Sequence, residues 1–163
     1  MALIANSSVS PRNTERRKKK QNTEEVRMNI LVIDGQGGQL GGGIIKALRE
    51  RGAAAKITAV GTNASATAAM LRAGADAAAT GENSVRVACR SADIIVGPVG
   101  IVIADSLLGE VTPDMAVAVG QARAVRILIP INRCDNIVAG VADVGMSSLI
   151  DDAVQKIAAL AAK

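Results

Sequence analysis

The 163-residue chain contains no histidine, phenylalanine, tyrosine or tryptophan. Without imidazole there is no Ser-His-Asp or Cys-His relay and no ordinary histidine-based zinc site. Without aromatic rings there is no stacking platform for bases and no ring sandwich for a flavin. Long apolar runs are missing too, since the stretch from Ile94 to Ala104 is too short to span a bilayer. Cysteine is scarce: Cys89 and Cys134 share no CxxC spacing, which fits reduced thiols in a cytosol better than a disulfide framework.

What is present is a folding composition, 49% hydrophobic and 21% charged, in a length suited to one domain. The net charge of +4 is unevenly placed. Arg12, Arg16, Arg17, Lys18, Lys19, Lys20 and Arg27 outnumber Glu15, Glu24 and Glu25 in residues 1–27, whereas residues 28–163 hold equal numbers of each sign. Residues 1–27 therefore read as a disordered basic arm without a secretory h-region, and residues 28–163 as the domain. Nucleic acid is not expected as a partner of the balanced domain, because phosphate neutralisation needs clustered Lys and Arg. Arg16–Lys20 in the arm are the exception.

From Met28 the pattern changes. Asn29–Asp34 is a compact apolar run, as expected of a buried strand. A glycine-rich stretch, 35–43, leads into a helix to about Arg51. Strands at Lys56–Gly61, Asp76–Thr80, Asp93–Val96 and Val125–Ile131 alternate with helices at about 63–73, 82–90 and 113–124. The Asp93 strand is expected to break at Gly97-Pro98, and Ile101–Leu108 to be a short helix. Thr112-Pro113-Asp114 carries an N-cap, a first-turn proline and an acidic residue. A last short strand is expected at 137–141, and Ser148-x-x-Asp151 reads as a variant capping box for the final helix. Apolar strands alternating with helices describe an α/β fold, a Rossmann-like three-layer sandwich with a mainly parallel sheet.

The strongest functional signal is Gly35-x-x-Gly38-x-x-Gly41 between the first strand and first helix. Such a turn tolerates positive φ, brings bare backbone close to a ligand, and points free N–H groups at an anion. Its placement matches a dinucleotide fingerprint. The other reading is that these glycines only let the helix pack closely. No Gly-Lys-Ser/Thr follows, so it is not a Walker loop. Thr62 and Asn63 stand at the end of the second strand in place of an acid, suited to ribose or phosphate, or else to capping.

Ligands in open parallel sheets bind beyond the carboxyl ends of the strands. The expected nucleotide site is therefore Gly35, Gln36, Gly37, Gly38, Gly41, Thr62, Asn63, Gly97 and Pro98, with NAD or another nucleotide as cofactor. Any catalysis would rest on Asp34, Asn132, Arg133 or Cys134, although Cys134 reads first as a small buried filler and Arg133 as a surface charge. Asp105 and Glu110, flanking a Leu-Leu-Gly turn, read as solvated helix ends. No metal site is expected.

The glycine spacing is similar to that of extended short-chain dehydrogenase/reductases over about the first 35 residues of the domain. Their catalytic Tyr-x-x-x-Lys has no counterpart here, so that activity is excluded. A broader resemblance rests on Asn29-Ile-Leu-Val-Ile-Asp-Gly-Gln-Gly-Gly38, Ala59-Val-Gly-Thr-Asn63, Met70–Asp76, Thr80-Gly-Glu-Asn83, Asp93-Ile-Ile-Val-Gly-Pro98, Leu108-Gly-Glu110 and Leu128-Ile-Pro-Ile-Asn-Arg-Cys134. In these the chain resembles a family of small bacterial proteins known only as a domain of unknown function. The resemblance implies a Rossmann-like fold in a cytoplasm and no established activity. The expectation is thus a cytoplasmic nucleotide-binding protein with no membrane partner. A homo-oligomer and a non-enzymatic sensor or assembly subunit remain open alternatives.

Overall fold

A computed structural model describes residues 28–131, 136–142 and 144–162. The expected arm at 1–27 and the candidates Asn132, Arg133 and Cys134 lie outside the described residues.

Five parallel strands form one sheet: β1 (Asn29–Asp34), β2 (Lys56–Gly61), β3 (Ala77–Thr80), β4 (Ile94–Pro98) and β5 (Val125–Ile129), in the order β3-β2-β1-β4-β5. The helices are α1 (Gln39–Glu50), α2 (Ala64–Arg72), α3 (Glu82–Ala88), α4 (Pro113–Gln121) and α5 (Met146–Ala161). Alternate residues of β1 feed two cores. Ile30 and Val32 pack with Ile44, Ile45 and Leu48 of α1, Met70 of α2 and Val154 and Ile157 of α5. Leu31 and Ile33 pack with Val85 of α3 and Met115 and Val119 of α4. Because both faces are covered, the strands read as continuous apolar runs rather than alternating ones. This is the expected Rossmann-like three-layer sandwich.

Several boundaries differ from the sequence reading, each for a local reason. The first helix starts at Gln39, inside the glycine run, so Gly41–Gly43 are helical. There a Cβ on Gly41 would come within 2.5 Å of Met70 Sδ, and one on Gly43 within 2.7 Å of Ile150 Cδ1, so bare backbone is what lets α1 lie against α2 and α5. β4 does not break at Gly97-Pro98: both residues pair with β5, and Gly97 lies against the Ile33 carbonyl where a side chain would collide. The expected helix at 101–108 is instead a 3₁₀ turn (Val99–Val102) and a distorted four-residue turn (Ser106–Gly109) containing left-handed leucines. No strand forms at 137–141, where Gly140 turns the chain at φ +81°. The final helix begins at Met146 with Gly145 at its cap, so Ser148 falls inside the first turn. The Thr112 cap is as read, its hydroxyl accepting from Met115 N–H at 3.2 Å.

The connections turn outward on either side of β1: β2 and β3 run one way, β4 and β5 the other. The carboxyl ends of β1 and β4 therefore flank the topological switch point, where open α/β sheets bind ligands.

Candidate functional site

A cleft of about 180 Å³ opens at this switch point. Asp34, Gly35, Gln36, Gly37, Gln39 and Leu40 form one wall; Pro98, Val99, Gly100 and Leu107 form the other. Ile131 and Asn136, which bracket the segment holding Asn132, Arg133 and Cys134, also line it, as does Met146.

The turn between β1 and α1 is held from two sides by carboxylates. Asp34, 6% exposed, accepts from Gly35 N–H on Oδ1 and from Gly41 N–H on Oδ2, both at 2.8 Å. Glu110 reaches the turn from the segment after β4. Its Oε2 accepts from Gln36 N–H at 2.8 Å, Thr62 Oγ at 2.5 Å and Asn63 Nδ2 at 2.9 Å. Burial raises the Asp34 carboxyl above its ordinary value against the pull of the Gly41, Gly35 and Leu40 amides, and the charge of Glu110 adds to the rise. Burial pushes Glu110 the same way, but its hydrogen bonds from Thr62, Gln36 N–H and Asn63 prevail, and its carboxyl lies below its ordinary value.

This arrangement divides the predicted residues. Gly35, Gln36, Gly37 and Pro98 line the cleft with Asp34 at its floor. Gly38 and Gly41 do not. A Cβ on Gly38 would lie 2.7 Å from Ala66 Cα, and Gly38 itself sits at φ +69°. Two of the three regularly spaced glycines thus serve helix packing, the structural alternative raised by the sequence. Gly35 combines both roles, lining the cleft while a Cβ there would meet Glu110, Thr62 and Leu107. Thr62 is committed to Glu110. Asn63 caps α2 through Oδ1 and gives Nδ2 to Glu110 and the Gln36 carbonyl. Gly97 does not line the cleft but packs against the Ile33 carbonyl. The amides of Gly37 and Gln39, both exposed, are the ones on this turn without a protein acceptor among the described residues.

The sequence reading missed Glu110, which is no solvated helix end, along with Leu107 and Gln39. The backbone marks the two segments that meet here. Gln36, Asp105, Leu107 and Leu108 are the non-glycine residues with positive φ among the described residues, and Glu110 ties the two segments together. Left-handed L-residues cost roughly 1–2 kcal/mol each, and such strain concentrates at functional sites. Leu108, 96% exposed, recovers nothing by burial.

Fold and cleft together define a Rossmann-like α/β domain with a small ligand-sized opening at its switch point. The chain belongs to a family described as a domain of unknown function (DUF3842), whose model matches residues 29–162. No curated protein matches it. Among solved structures it is similar to that of AibC, at 17% identity and a TM-score of 0.42, over 90% of this chain and 42% of that one. The chain thus spans less than half the length of AibC.

Proposed function

We propose that this protein binds a nucleotide, NAD foremost, in the switch-point cleft with phosphate directed at the Gly35–Gly41 turn. One observation carries the reading: the amides of Gly37 and Gln39, without a protein acceptor among the described residues, stand at the opening of α1, on a cleft placed where open α/β sheets take ligands. The fit is partial. Asp34 and Glu110 already occupy the Gly35, Gln36 and Gly41 amides, leaving a shorter anion-binding edge than the glycine spacing implies. At about 180 Å³ the opening is also below the roughly 300–1,000 Å³ usual for ligand pockets. It suits one half of a dinucleotide, the other half needing the space over Thr62 and Asn63 where the 106–110 turn lies. When bound, NAD would supply hydride chemistry. The chain's own contribution is amide donors at Gly37 and Gln39 and an apolar wall from Leu40, Val99 and Leu107.

Asp34 is the titratable group lining the cleft among the described residues, and its oxygens are engaged by amides, so no reaction is assigned to it. A bacterial cytoplasm suits Cys89, a buried free thiol that burial pushes up to about 11 and so keeps unreactive at neutral pH. A second reading, a non-enzymatic sensor whose ligand regulates a partner surface, is favoured by the exposed Leu108 beside the site.

Titration calorimetry with NAD, NADP, ATP and CoA tests the reading. Binding of at least one, weakened by Gly37→Leu, is the expected outcome; heats indistinguishable from dilution for all four would end it. Given a turnover assay, alanine at Arg133 and Cys134 supports an enzyme where turnover is lost and the ligand kept, whereas a sensor binds the ligand and turns nothing over.

A further inference from the structure

We propose that the three donors holding Glu110 are a phosphate seat, and that Glu110 is its resident occupant, displaced when a phosphate-bearing ligand enters. The inference rests on the nucleotide reading for the identity of the ligand, but the seat is argued from its own geometry. Donors from three places in the sequence, Gln36 N–H, Thr62 Oγ and Asn63 Nδ2, converge on the single oxygen Oε2 of Glu110. All three are neutral, and no ion pair to Glu110 occurs among the described residues. A cradle of neutral dipoles recognises the negative charge and its lone pairs, which a phosphate oxygen supplies as well as a carboxylate does.

The segment delivering Glu110 is strained at its tip. Asp105, Leu107 and Leu108 are left-handed, as is Gly109, and Leu108 is exposed. The ends of the turn are anchored, Ser106 by donating its hydroxyl to the Gly100 carbonyl at 2.5 Å and Val111 by burial in the core. Its tip, by contrast, is held by Glu110 in the seat and Leu107 against the cleft wall. The backbone bonds Asp105 N–H to Val111 O, Gly109 N–H to Asp105 O and Val111 N–H to Ser106 O are internal to the segment and brace its base, so that the tip, 107–110, swings on it. Because Leu107 lines the cleft, outward movement of this turn also joins the cleft to the space above Thr62 and Asn63. That is the room a second nucleotide half needs.

The test uses the full chain, with inorganic pyrophosphate as the probe of the seat and NAD as the probe of the ligand. Wild type, Glu110→Ala and the milder Glu110→Gln are titrated calorimetrically, and amide hydrogen exchange is followed at Gln36 and through 105–111. Vacating the seat is expected to tighten pyrophosphate by about tenfold or more in Glu110→Ala, and less in Glu110→Gln, since the competing occupant is removed. Exchange through 105–111 should quicken in the variants without ligand, and in wild type on adding pyrophosphate, while Gln36 N–H, held by Glu110 in the free wild type, stays protected there and regains its protection in the variants. Pyrophosphate binding that is weakened or unchanged by both substitutions, or absent in all three proteins, overturns the proposal. So does unaltered exchange through 105–111. Should Glu110→Ala fail to fold, Glu110→Gln and the wild-type exchange measurement decide alone. If pyrophosphate behaves as expected while NAD and the other nucleotides bind none of the proteins, the seat stands and the nucleotide reading falls.

Discussion

Asp34 and Glu110 grip adjacent amides of one turn, yet protons act on them in opposite directions. The folded-state value of Asp34 is raised by burial, so its contribution to stability is fully present below the ordinary 3.8 and is lost as pH rises through the folded value. Glu110 is lowered on balance, so its contribution is present above the ordinary 4.5 and is lost as pH falls through the folded value. Urea unfolding across pH separates the two. The stability gap between wild type and Glu110→Gln should close as the solution is acidified below 4.5. Asp34→Asn should behave in the other sense. Its single carbonyl oxygen serves Gly35 or Gly41 but not both, turning an NH₂ against the remaining N–H. A loss of about 1–3 kcal/mol is expected from that mismatch, narrowing as pH rises through the Asp34 value. A gap independent of pH in both variants would mean that neither carboxylate is coupled to folding through this turn.

At the scale of elements, the chain announces its strands more openly than its site. β1 and β2 have the same limits in sequence and structure because each is an apolar run ended by a residue that changes the chemistry, Asp34 or Gly61. The Thr112-Pro113 start of α4 is equally local: the cap, the proline and the Met115 amide are neighbours. The site depends on pairs far apart in the chain. Glu110 bonds to Gln36 across 74 positions and to Thr62 across 48, and no periodicity reports such a meeting. The glycine run was legible as a turn but ambiguous in purpose, since a bare α-carbon facing a ligand and one facing a helix are spelled alike. Alanine substitution resolves the two uses. Gly38→Ala must hold φ +69° and push into the Ala66 backbone, so a loss of about 2 kcal/mol or more is expected in thermal or urea unfolding. Gly37→Ala meets nothing nearer than Gln39 Cγ at 4.0 Å and should change stability by less than about 0.5 kcal/mol. Equal losses at both positions would remove the distinction between packing glycine and ligand-facing glycine.

At the scale of the whole molecule the question is where charge meets a partner. The described ion pairs lie on the surface, such as Arg49 with Asp76 and Arg51 with Asp151, and exposed pairs of this kind contribute little. Residues 28–163 carry no net charge, so the +4 of the full chain belongs to residues 1–27. Among the described residues the buried core begins at Ile30. Deleting residues 1–27 should shift the melting temperature by no more than about 2 °C, and any salt-dependent retention of the full chain on DNA should vanish with them. If Arg16–Lys20 each neutralise one phosphate, binding by the full chain should show a log–log salt slope of roughly −4 to −5, and the shortened chain a slope near zero. A slope retained after the deletion would move the contact onto the domain. Arg86, Arg90 and Arg123 share one groove between α3 and α4, on the sheet face opposite α1, and substitution there would then be expected to abolish the retention while sparing the switch-point cleft.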